Sequence, residues 1–368
     1  RVDARVRPSD EALARLAARL LGAKNPVVLA GQELAIHDAF IEAAELAELL
    51  GAAVYQQPIP YCAQFPSAHP AYLGALTRNQ KQVRAALEPF DLMLCLGADL
   101  LRMSVFSPTA PLPETLPVVH ISERDWELGK NYPTELALCA NVKETLRALL
   151  PLLREGRTPT AADAAKRRLT LLKSHNWTAQ RDQARVEVMR AAETAPIDPR
   201  YLMLCISEAL PPDAIVVDEA LTSSTSLPGF LHLPDPKCFY GLASGGLGFA
   251  LPGAVGISLA QPGRPLLAII GDGSAMYGVQ ALWTAAHLKL PITYVIANNR
   301  SYRILKERLV SMRASDRFTG MDLRDPEIDY TGLARSLGVP AERVTDPAGI
   351  VPALRDALQA GSPRLIEV

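Results

Sequence analysis

Apolar positions along the chain fall into two alternating patterns. Unbroken apolar runs bounded by proline, glycine or charge, PVVLAG (26–31), AAVYQQ (52–57), DLMLCLGA (91–98) and PVVHIS (117–122), have the length and make-up of strands covered on both faces. Around them, over residues 9–22, 36–50 and 143–154, apolar side chains recur at helical spacing. Strands alternating with helices predict a parallel sheet wrapped by helices. From about Arg154 to Thr194 the chain turns charged and alanine-rich and carries no strand signal. The rhythm resumes at IDPRYLMLCISEAL, followed by AIVVDEA (214–220), a glycine-rich GLASGGLGFALPG (241–253), PLLAIIGD (265–272), a helix over 276–289, ITYVIANN (292–299), a helix over 346–359 and a final RLIEV. The expectation is an α/β protein of two doubly wound parallel-sheet domains, residues 1–155 and 195–368, joined by a linker over 156–194.

Composition adds exclusions rather than chemistry. With 368 residues, 49% of them apolar, the chain can bury two substantial cores. A formal net charge of -1 gives no bulk attraction to nucleic acid or to an anionic membrane. No run reaches the roughly 18 apolar residues of a membrane span, and the opening RVDARVRPSDEALARL is charged rather than signal-like, so a cytoplasmic location is expected. The five cysteines, Cys62, Cys95, Cys139, Cys205 and Cys238, are odd in number, widely spaced and mostly set in apolar runs, which reads as buried reduced thiols.

The candidate chemistry lies in IIGDGSAMYG (269–278), where a bare carboxylate, Asp272, stands between two glycines at the carboxyl end of a predicted buried strand. Val279, Leu282, Trp283 and Ala286 then keep helical spacing, and Pro291 ends that helix before the next strand, ITYVIANN. A right-handed crossover returns the second strand parallel to the first. Asp272 and the pair Asn298–Asn299 therefore emerge at one sheet edge, where open α/β folds bind ligands. A carboxylate and an amide carbonyl are hard oxygen donors suited to Mg²⁺ or Ca²⁺, and Mg²⁺ completes its shell with phosphate oxygens and water. Gly271 and Gly273 permit a sharp turn, while Gly273 and Ser274 offer N–H groups at a helix start, where an anion is favoured. The plainer alternative is a tight strand-to-helix turn with Asp272 as N-cap.

GDG followed, after a helix and a strand, by NN resembles the cofactor signature of thiamine diphosphate enzymes. The likeness extends over FYGLASGGLGFALPGAVGISLAQPGRPLLAIIGDGSAMYGVQALWTAAHLKLPITYVIANNRSY, which is similar to the diphosphate-binding domain of benzoylformate decarboxylase and its acetolactate-synthase-like relatives. Residues 1 to about 155 resemble that family's Rossmann-like central domain. The resemblance implies that Asp272 and Asn299 hold Mg²⁺ through their side chains, with the Ser301 carbonyl as a third ligand. Gly273 and Ser274 would contact the diphosphate, and Thr222 would reach it from the loop after AIVVDEA. Leu247 would be the apolar wedge that bends the cofactor into a V, with Gly245, Tyr302 and Ile304 lining the same pocket; ordinary core packing is the alternative for Leu247.

His69, in SAHPAYLG, matches a histidine that approaches the active site from the central domain in benzoylformate decarboxylase; a structural or surface role is the alternative. Some members carry FAD through a glycine-rich segment just after this His-Pro. Here LGALTRNQKQ stands instead, so FAD is not expected. Arg308 stands where the decarboxylase has an apolar residue near its substrate, and Ile304 is bulkier than the alanine there. Arg308 is then either a solvated helix charge or a contact for an anionic substrate group.

In this family thiamine diphosphate lies between two domains, and a pyrimidine-binding domain carrying an activating glutamate precedes the central one. No stretch before PVVLAG reads as that domain. The chain is accordingly expected to be the C-terminal portion of a 2-keto acid decarboxylase or carboligase, nearly inert alone and acting as a homodimer or homotetramer. Two rivals remain open: a non-catalytic nucleotide-binding or regulatory subunit, against which VVLAGQELA lacks a G-x-G-x-x-G, and a degenerate homologue serving only in assembly.

Overall fold

Twelve strands form among the described residues, and they sort into two six-stranded, all-parallel sheets. The computed structural model describes residues 5–58, 61–103 and 106–368. The first sheet holds β1 (Pro26–Ala30), β2 (Ala53–Gln56), β3 (Tyr72–Ala75), β4 (Leu92–Leu96), β5 (Val118–Ser122) and β6 (Leu136–Cys139), in the order β3-β2-β1-β4-β5-β6. Every residue of β1, β4 and β5 is buried, which is why these strands read as unbroken apolar runs. The order reverses between β1 and β4, the switch point of a doubly wound sheet.

The flanking helices start at side-chain caps. Ser9 Oγ accepts from Ala12 N at 3.2 Å, opening the helix Asp10–Leu21, whose Leu13, Leu16, Ala17 and Leu20 are buried. Asn141 Oδ1 accepts from Glu144 N at 3.1 Å at the start of Val142–Gly156. The helix expected over 36–50 is two helices, Gln32–Ile36 and Phe40–Leu50. Asp38, between them, is left-handed with φ 53°, a break that apolar spacing cannot announce. The strands β3 and β6 were not expected; each is only four residues long, and β6 lies largely open at the sheet edge.

Residues 156–194, assigned above to a linker, contain two longer helices, Pro159–Leu172 and Trp177–Val188. Arg168 fastens the first of them, donating to the carbonyls of Lys24 at 2.8 Å, Leu50 at 2.5 Å and Gly51 at 3.2 Å. Gly51 is left-handed (φ 57°), and a Cβ there would fall 2.5 Å from the Ala165 backbone. The chain divides into two compact units, one running to Arg181 and including His232–Lys237, the other made of Asp182–Leu231 and Cys238–Val368.

The second unit's sheet holds β7 (Ile215–Glu219), β8 (Phe239–Gly241), β9 (Leu266–Gly271), β10 (Ile292–Ala297), β11 (Ala341–Arg343) and β12 (Arg364–Glu367), ordered β11-β12-β10-β9-β7-β8. Its central strands β9 and β10 are buried throughout and pair in register from Leu266↔Ile292 to Gly271↔Ala297. The crossover helix between them, Ala281–His287, is shorter than the expected 276–289. The expectation of buried thiols holds for Cys95, Cys205 and Cys238, but Cys62 is half-buried and Cys139 is exposed at the end of the edge strand β6. Among the described residues no helix is long and apolar enough to cross a membrane.

Candidate functional site

The register Gly271↔Ala297 puts Asp272 and the pair Asn298–Asn299 just past the ends of adjacent strands. A short helix, Asp272–Ala275, starts at once, with Gly271 at its N-cap and no side-chain cap. Asp272 is thus the first helical residue rather than the cap. It is only 3% exposed. Its Oδ2 accepts from Ser301 N at 3.1 Å, and its backbone carbonyl accepts from the Tyr330 hydroxyl at 2.7 Å. Burial pushes its carboxyl above the usual carboxylate range, while the N–H groups of Gly273, Ser301 and Arg300 pull the other way. Its donors are backbone N–H groups rather than a cationic side chain.

The two asparagines do different work. Asn298 Nδ2 donates to Glu367 Oε1 at 2.8 Å, and its Oδ1 accepts from Arg300 N at 3.0 Å. Asn299 Oδ1 is buried with no partner. A buried amide oxygen without a donor is costly, and a cation shared with a nearby carboxylate is one group able to satisfy it. Among the described residues no three His, Cys, Asp or Glu side chains gather, so a metal held here draws on amide and carbonyl oxygens. That donor set fits a hard cation. A Cβ on Gly273 would sit 2.7 Å from Tyr302 Cε1, so the Tyr302 ring lies against its backbone and would have to move for any larger residue. Ser274 is 4% exposed on the same short helix.

The neighbouring strand β7 supplies the third side of this edge. Its last residue, Glu219, is 1% exposed and accepts from Gly248 N and Ala250 N, each at 2.6 Å. Leu247, on the loop so held, is 39% exposed and is not part of the core. Gly245 and Gly248 on either side of it are left-handed, with φ 78° and 94°. Thr222 lies half-buried in the turn after β7, its carbonyl accepting from Thr225 Oγ1 at 2.9 Å. Ile304 and Arg308 lie on the helix Arg303–Arg313, half-buried and exposed respectively.

His69 belongs to the first unit. Its Nδ1 accepts from Ala71 N at 3.2 Å, so Nε2 carries the proton, and Nε2 lies 3.4 Å from Glu48 Oε1. Burial lowers its pKa, against the pull of Glu48. Sequence reasoning missed Glu219, Tyr330 and Glu367. Their partners are backbone atoms or residues tens of positions away, and no local spacing signals such pairs.

At the switch point of the first sheet the crevice is closed by the protein itself. Glu33, 3% exposed, accepts from Ser122 Oγ at 2.5 Å, Glu123 N at 2.9 Å and Arg124 Nε at 3.2 Å. Arg124 bridges on to Asp99 at 2.6 Å. A Cβ on Gly31 would lie 2.2 Å from the Ala98 Cα, so the loops after β1 and β4 touch.

Residues 225–368 match the thiamine pyrophosphate enzyme C-terminal TPP binding domain, and residues 13–149 match the thiamine pyrophosphate enzyme central domain. The chain belongs to the thiamine pyrophosphate enzyme family. Among curated relatives it is similar to benzoylformate decarboxylase of Pseudomonas aeruginosa, at 32% identity over 98% of this chain and 64% of that protein. Sulfoacetaldehyde acetyltransferase of Castellaniella defragrans is 26% identical over 94% of this chain and 60% of its own length. Among solved structures, the thiamine diphosphate-dependent 4-hydroxybenzoylformate decarboxylase of Rhodococcus jostii RHA1 superposes with a TM-score of 0.84 at 30% identity, covering 100% of this chain and 65% of that one. The chain thus spans less than two thirds of the length of these thiamine pyrophosphate enzymes.

Proposed function

We propose that this chain is the central and diphosphate-binding part of a thiamine diphosphate- and Mg²⁺-dependent enzyme that decarboxylates a 2-keto acid, then releases an aldehyde or joins the resulting carbanion to a second carbonyl. The observation that carries the reading is the placement, just past the ends of the neighbouring strands β9 and β10, of the buried Asp272 carboxylate and the unpartnered Asn299 oxygen. Asp272, Asn299 and the Ser301 carbonyl would hold Mg²⁺. Gly273, Ser274 and Thr222 would meet the diphosphate, with Gly245, Leu247, Tyr302 and Ile304 lining the rest of the pocket. When bound, thiamine diphosphate supplies the nucleophilic carbon and the electron sink for CO₂ loss. This chain's own residues bind and orient: the Asp272 carboxylate offers oxygen to a cation, and the Gly273 backbone lets the anion approach closely.

In the same reading the pyrimidine-binding half belongs to a preceding domain of the same protein, and the working form is a cytoplasmic homodimer or homotetramer. His69 rests as a neutral imidazole beside Glu48, which favours a structural role over a proton-transfer one. A dinucleotide or FAD is disfavoured at the first sheet's switch point by the buried Glu33 carboxylate there and by the contact between the loops after β1 and β4. This disfavours the regulatory, nucleotide-binding alternative.

Calorimetric titration tests the reading. Thiamine diphosphate should bind only with Mg²⁺ present, and Asp272→Ala should abolish that binding. Unchanged affinity in the variant removes the site.

A further inference from the structure

The loop that carries Leu247 is open on one side and clamped on the other. A Cβ added to Gly245 would meet nothing within 4 Å, so the loop is open on that side. Immediately after Leu247 the chain is pinned twice. Gly248 N and Ala250 N both donate to the Glu219 carboxylate at 2.6 Å. The other side of Gly248 lies against Tyr277, where an added Cβ would come within 2.8 Å of the tyrosine Cβ. The following helix, Ala250–Ala260, has no side-chain cap of its own, so Glu219 caps it from another strand. A carboxylate that is 1% exposed is costly to desolvate, and its compensation here is a set of backbone N–H groups converging from this one segment.

Resting on the function proposed above, we propose that Glu219 is a positioning residue: by holding Gly248 and Ala250 it fixes the half-exposed Leu247 side chain as a preformed support for the thiamine moiety of the cofactor. Its action is confined to the bent organic part of the ligand. The diphosphate end is held past β9 and β10 and by Thr222, whereas the Glu219 carboxylate's hydrogen bonds go to Gly248 and Ala250. A residue that only caps a helix would, when altered, weaken every ligand of the unit alike; a residue that sets Leu247 discriminates between ligands with and without the thiamine part.

The test compares Mg²⁺-dependent binding of thiamine diphosphate and of inorganic pyrophosphate to wild type, Glu219→Gln, Leu247→Ala and the double variant. Glu219→Gln keeps the shape but turns an amide N–H toward one of the two donors. Expected is a loss of about 10- to 100-fold in thiamine diphosphate affinity for each single variant, no further loss in the double variant, and pyrophosphate binding unchanged throughout. Equal losses on both ligands, or wild-type affinity in Glu219→Gln, overturn the proposal. Amide hydrogen exchange on the ligand-free wild type is a second measurement that does not depend on a variant folding. The Gly248 and Ala250 amides should be protected while those of Gly245 and Gly246 exchange freely, and an unprotected Gly248 amide refutes the clamp. Failure of the wild type to bind thiamine diphosphate would instead count against the function proposed above, leaving hydrogen exchange to judge the clamp.

Discussion

Asn298 is bound to Glu367 across the sheet, Nδ2 to Oε1 at 2.8 Å, while the next residue in the chain keeps its amide oxygen buried and unpartnered. Adjacent asparagines should therefore fail in different ways. Asn298→Ala leaves the 1%-exposed Glu367 short of a donor and should lower stability by about 1–3 kcal/mol with Mg²⁺ affinity retained. Asn299→Ala removes a costly orphan and should leave stability level or slightly raised, while weakening Mg²⁺-dependent cofactor binding at least about tenfold, roughly one ligand's worth of interaction. Urea unfolding and titration on both variants check this; a common loss of stability and affinity would contradict the division of labour.

That division also marks the limit of what the sequence discloses. Asp272 could be placed because β9 is an unbroken apolar run, so its end is visible in the letters themselves. The asparagine pair could be placed at the same edge for the same reason. Which of the two faces a ligand depends on Glu367, 69 positions on, and on the packing of β12 beside β10. Glu219 was passed over because it ends an apolar strand like any edge residue, and its partners are two backbone N–H groups. The break at Asp38 and the short strand β3 escaped because neither has a periodic apolar signature.

Asp218, beside Glu219, gives the fold a pH signature of its own. Burial pushes its carboxyl up to about 6, outweighing the donors Ala220 N and Ser224 Oγ, each at 2.9 Å. A carboxyl whose pKa is higher folded than unfolded binds more protons in the native state, so its contribution favours folding at low pH and is lost as pH rises from about 4 through about 6. The shift corresponds to at most about 3 kcal/mol. Relative to Asp218→Asn, the wild type should therefore lose stability between pH 4 and pH 6, where denaturant midpoints of the two proteins can be compared. A difference that stays flat across this range would show that Asp218 titrates normally.

The closed crevice of the first unit makes a simple prediction. FAD, NAD and ADP should leave the thermal midpoint unmoved. Glu33→Ala should lower stability by about 1–3 kcal/mol by stripping acceptors from Ser122, Glu123 and Arg124. The loss stays modest because Arg124 is 38% exposed and water takes over part of its solvation. A rise in midpoint with any of these nucleotides on the wild type would return the first unit to the nucleotide binders.

The contact between left-handed Gly51 and the backbone of Ala165, with Arg168 hooked over three carbonyls beside it, makes residues 159–172 a strap that cannot be traded away piecemeal. A chimera that swaps the first unit for a relative's must carry this strap along with the sheet it crosses. Substituting a larger side chain at position 51 would prise the two apart and open the rear of the unit to proteases.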